Sequence, residues 1–94
     1  MTTLLTEAEI IARLAQVPAW VRSGAQIERM FKFANFGEAM QFVNRVAEIA
    51  EVRNHHPDIT IRWNKVTLVL STHSAGGLPE KDIAAAAEFD QAAD

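Results

Sequence analysis

The 94-residue chain contains no cysteine, which removes disulfide frameworks, thiolate metal sites and cysteine nucleophiles in one step. A chain without thiols suits a reducing cytoplasm, and that is its expected location. Positive charge is also in short supply. Nine Lys and Arg against twelve Asp and Glu give a formal net charge of -3, so no broad cationic field is available for phosphate backbones. Direct nucleic-acid binding is therefore not expected. No apolar run approaches the length of a membrane span, and "MTTLLTEAEI" lacks the basic and apolar regions of an export signal. Repeats, low-complexity tracts and linker-like stretches are missing as well, so residues 1–94 read as a single domain. What remains, 49% hydrophobic residues with 22% charged, is the composition of a compact globule.

Local signals place seven elements. Thr6 and Glu9 stand at capping-box spacing before Ile10, Ile11 and Leu14, predicting a helix over about 6–16 that stops before Pro18. In "AWVRSGAQIERMFKFAN" Ile27, Phe31 and Phe33 alternate with Glu28 and Lys32, which predicts two strands about a glycine turn; Arg29 breaks the alternation. Asn35 and Glu38 then cap a long helix whose apolar stripe, Ala39, Phe42, Val43, Val46, Ile49 and Ala50, ends near Val52. "ITIRWNKVTLVLSTH" predicts a hairpin turning at Asn64 and Lys65, and Pro79 opens a last helix. The order αββαββα predicts an α+β, two-layer fold: a four-stranded antiparallel sheet with three helices on one face. Val69 and the alanine-rich last helix suggest contact with a second copy.

All three histidines, His55, His56 and His73, fall in one short window. A turn at Asn64 and Lys65 would set Trp63 opposite Val66, Ile61 opposite Leu68 and Ile59 opposite Leu70. Carried back, that register sets His56 opposite His73. Pro57 cannot donate to a ladder, so the sheet is expected to open there into a cleft, with His55 at its mouth. Glu51, an acid in the last helical turn, opposes the helix dipole and marks a local rule broken. Imidazoles beside carboxylates suit acid/base chemistry near neutral pH or a metal. Three ligands would suffice for zinc, but adjacent histidines rarely aim at one ion and no HxxxH spacing is present, so no metal is expected. Singly, each histidine also reads as a solvated turn or strand-end residue. Trp63 is expected in the core, on the face of Ile59, Ile61, Val66, Leu68 and Leu70.

The spacing Glu51, three residues, His55-His56-Pro57, five residues, Trp63, nine residues, His73, eight residues, Asp82 resembles the signature of the pterin-4a-carbinolamine dehydratases. Trp20, "FKFANFGEAMQFVNRVAEIAE" and "NKVTLVLSTHSAGGLPEKDI" are similar to family segments in the same order, from about Leu5 onward. The resemblance implies dehydration of a 4a-hydroxytetrahydropterin to the quinonoid dihydropterin, without metal or organic cofactor, by a homodimer or homotetramer. It implies His55, His56 and His73 as catalytic residues. Glu51, Pro57, Thr72, Ser74, Ala75 and Asp82 would contact the pterin. Asn54 departs from the aspartate often found before the histidine pair. Two other readings stand beside this one: a binding module that stabilises a partner protein's dimer, and a histidine-ligated zinc hydrolase.

Overall fold

The computed structural model describes residues 5–71 and 80–94. Thr6 caps α1 (Glu7–Leu14) through the reciprocal pair expected of it: Glu9 N donates to Thr6 Oγ1 at 3.2 Å, and Thr6 N to Glu9 Oε1 at 2.9 Å. β1 (Val21–Ser23) and β2 (Gln26–Lys32) follow, joined through Gly24 at φ 61°, a left-handed conformation that glycine adopts without steric cost. Asn35 Oδ1 accepts from Glu38 N at 2.8 Å and starts α2 (Phe36–Arg53). β3 (Asp58–Arg62), β4 (Lys65–Ser71) and α3 (Glu80–Ala92) complete the chain.

The four strands form one antiparallel sheet in the order β1-β2-β4-β3, with all three helices supplying core residues against one face: the α+β fold that the element order implies. Ile27, Phe31, Val66, Leu68 and Leu70 point into that layer from the sheet. Ala39, Phe42 and Val46 of α2 meet them, as do Ile83, Ala85, Ala86 and Phe89 of α3. The Phe42 ring lies 4.6 Å from Phe31 and 5.0 Å from Phe33. Arg29, the interruption in the alternation, sits on this same face. Its guanidinium lies 4.1 Å from the Phe31 ring centre and 2.6 Å from Asp90 Oδ1, which also accepts from Trp20 Nε1 at 2.8 Å.

Two expectations about the hairpin are corrected. Its two-residue turn is Trp63–Asn64, so Ile59 pairs with Leu68 and Ile61 with Val66. Carried toward the chain's earlier end, this register would bring His56 level with Ser71, two residues short of His73. The cause is Asn64, whose side chain donates to Phe33 O at 2.8 Å while its own carbonyl accepts from Phe33 N at 2.9 Å. Those contacts pin Asn64 to the end of β2 and leave Trp63 to make the turn at φ 53°. Trp63 is consequently 68% exposed and outside the core.

Candidate active site

α2 ends by a Schellman arrangement. Asn54 adopts φ 50°, ψ 44°, its amide donates to Glu51 O, and the His55 amide donates to Ala50 O at 3.0 Å. Asparagine tolerates this left-handed position better than most residues, which gives Asn54 a structural reason for being there. The turn brings the chain back across the helix end, so that two consecutive imidazoles meet different surroundings.

His55 turns inward and is buried. Its Nε2 meets Oδ1 of Asp82, in the first turn of α3, whose residue is fully buried. A carboxylate in that position costs solvation, which the imidazole contact and the positive end of the α3 dipole offset. His56 turns outward, and its Nε2 lies 2.5 Å from Glu51 Oε2, both side chains remaining largely in solvent. The acid in the last turn of α2 thus has a local partner that moderates its unfavourable place on the dipole.

Two histidine–carboxylate pairs, one buried and one exposed, therefore stand next to each other where α2, β3 and α3 converge. Pro57, half-buried, follows them directly and precedes the first residue of β3. α2 and α3 run antiparallel here, tied by Arg53 to Glu88 and, further along, by Arg45 Nε donating to Ala92 O at 2.8 Å. β4 ends on Ser71 at this same end of the sheet, since Asp58 pairs with Val69. Thr72, His73, Ser74 and Ala75 lie outside the described residues. The sequence signal missed the His55–Asp82 contact: an acid in a first helical turn is explained by the dipole alone, and only the spacing of the motif singles it out. Trp20 is buried and its indole nitrogen is already bonded to Asp90, so it presents little surface for stacking.

A family model described as "Pterin 4 alpha carbinolamine dehydratase" matches residues 3–92. The chain belongs to the pterin 4 alpha carbinolamine dehydratase family. A relative from Picosynechococcus sp., provisionally named for this dehydratase activity, is 54% identical over 97% of this chain and 99% of its own. One from Thermomicrobium roseum, named in the same provisional way, is 56% identical over 87% of this chain and 88% of its own. Among solved structures, the transcriptional coactivator/pterin dehydratase from Brucella melitensis superposes with a TM-score of 0.90 at 35% identity, covering 98% of this chain and 100% of that one. A pterin dehydratase-like protein described as a RuBisCO assembly factor in the alpha-carboxysome shares the fold, with a TM-score of 0.66 at 23% identity over 79% of this chain and 86% of that one. The matched span of the pterin dehydratase family includes both histidine–carboxylate pairs. Among the described residues no helix is long and apolar enough to cross a membrane.

Proposed function

We propose that the protein is a 4a-hydroxytetrahydropterin dehydratase that works by histidine acid/base chemistry, without a metal. Loss of water from the carbinolamine requires a base to take the N5 proton while an acid protonates the 4a-hydroxyl. The C4a–O bond then breaks, water leaves, and the N5–C4a double bond of the quinonoid dihydropterin forms. No electrons are exchanged with a partner. Two imidazoles in opposite protonation states can perform both transfers.

The observation that carries this reading is the buried His55–Asp82 contact beside the exposed His56–Glu51 pair. A carboxylate that grips one ring nitrogen fixes the orientation of the imidazole and so positions it for proton transfer. In this scheme His55 and His73 exchange protons with the substrate, and His56 holds and polarises the ring. Glu51, Pro57, Thr72, Ser74, Ala75 and Asp82 complete the pterin site.

The test is to generate the carbinolamine in situ with a pterin-dependent hydroxylase and to follow quinonoid dihydropterin with and without EDTA. Acceleration that EDTA leaves unchanged is expected. A rate equal to the spontaneous one, or a requirement for added zinc, overturns the proposal. Assembly as a homodimer or homotetramer is part of the same reading. All five residues of β3 are exposed, and its outer edge is paired with no strand among the described residues, which leaves backbone groups for a second copy to meet. Sedimentation showing only monomer at micromolar concentration would remove that part.

A further inference from the structure

The sheet face turned away from the helices carries a charge pattern that the dehydratase reading does not use. Lys32 pairs across the sheet with Lys65, and Lys65 with Arg62, so three cations stand abreast on adjacent strands. At a strand spacing of about 4.8 Å the row spans roughly 10 Å. Like charges directly opposite one another are destabilising, and among the described residues no carboxylate forms an ion pair with any of the three. This happens in a chain whose net charge is -3.

Trp63 stands at the end of the row. An indole at positive φ is a rare and strained arrangement for a bulky residue, and this one keeps its ring in solvent. Met30, Arg62, Trp63, Asn64, Lys65 and Thr67 line a groove of about 580 Å³ there. Along the same face the next row is Met30, Thr67 and Thr60, and the row after it holds Glu28, Val69 and Asp58. The face is therefore basic at the hairpin tip, uncharged in the middle and acidic roughly 13 Å further on.

We infer that this groove docks an acidic segment of a partner polypeptide, with its carboxylates on Lys32, Lys65 and Arg62 and an apolar side chain against Trp63 and Met30. The acids at Glu28 and Asp58 argue for a polypeptide over a phosphate backbone. A peptide can change side chain from one row to the next, whereas a continuing line of phosphates would meet those carboxylates. The groove lies at the opposite end of β3 from His55 and His56, so docking there is separable from dehydration.

The two tryptophans supply the readout, because Trp20 is buried with its indole N–H held by Asp90 and Trp63 is exposed. The ¹⁵N-labelled protein is titrated with a synthetic peptide EELEEFE, with QQLQQFQ and with tripolyphosphate. Saturable movement of the Trp63 indole signal by the acidic peptide is expected, with the Trp20 signal still. The Lys32→Gln/Lys65→Gln double variant should weaken binding at least about tenfold and leave the dehydratase rate unchanged. Lys65→Gln alone should raise the melting temperature by roughly 1–3 °C as the repulsion is relieved. A changed Trp20 signal would identify a misfolded variant, in which case loss of the wild-type shift in high salt replaces it as the test. The inference is overturned by an unmoved Trp63 signal, by an equal response to the glutamine peptide, or by tighter binding of tripolyphosphate. A Trp63 shift that tracks protein concentration without peptide would assign the face to a second copy and overturn it equally.

Discussion

His55 and Asp82, 27 residues apart in the chain, meet inside the protein and join the end of α2 to the start of α3. The contact holds one imidazole of the histidine pair in place while its neighbour faces solvent with Glu51.

Asp82→Asn keeps the shape of the side chain but removes the charge that orients His55. Turnover is expected to fall by about 10²-fold, with circular dichroism unchanged, in the carbinolamine assay. Wild-type turnover in this variant would mean that Asp82 serves only the fold.

Replacing the two histidines should separate stability from chemistry. His55→Ala removes a buried imidazole and its hydrogen bond to the buried Asp82 carboxyl, at a cost of about 1–3 kcal/mol. His56→Ala breaks a solvent-exposed pair and should cost below about 1 kcal/mol. Urea melts measure the difference; equal losses would contradict the buried and exposed environments assigned to them. Both variants should be slow in the dehydratase assay.

Asn54 tests the helix end. Asn54→Gly should fold as well as the parent, because glycine accepts the left-handed conformation. Asn54→Val should lose about 1–2 kcal/mol and also activity, since the turn aims His55. A valine variant with unaltered melting temperature would show that the chain leaves α2 by another route.

Acid should loosen α1. The Arg22 guanidinium beside Glu7, through its hydrogen bond first and its charge second, holds that carboxyl below its ordinary value of 4.5. The hydrogen bond from the Thr6 amide does the same for Glu9. Both folded-state values are depressed, so the stabilisation is complete above the ordinary value and disappears as pH falls through the depressed ones. The Cα chemical shifts of residues 7–14, followed from about pH 6 to about pH 3, should move toward coil, and Glu7→Gln with Glu9→Gln should flatten the profile. A pH-independent profile in the parent protein would remove this role from both acids.

The parts of the fold visible in the sequence are those governed by neighbours in the chain. Thr6 with Glu9 and Asn35 with Glu38 announce their helices because a cap is a bond over three residues. Apolar alternation in β2 and β4 assigns faces correctly for the same local reason. Register is different. Moving a hairpin turn by one residue shifts each pairing by two, and a period of two looks the same after such a shift. The pattern alone therefore sets Trp63 on the core face, and its exposure comes from Asn64 bonding to Phe33, 31 residues earlier. The site divides similarly. Imidazoles near a proline can be read directly, whereas the inward turn of His55 depends on α3 arriving with Asp82 in place.

The link between α2 and α3 also sets how the protein should fail on heating. Because one buried contact both orients an imidazole and helps fasten two helices, the proposed acid/base function would lose the alignment of His55 only when α2 and α3 come apart. On the proposed dehydratase reading, loss of turnover and melting should trace a single curve as temperature rises.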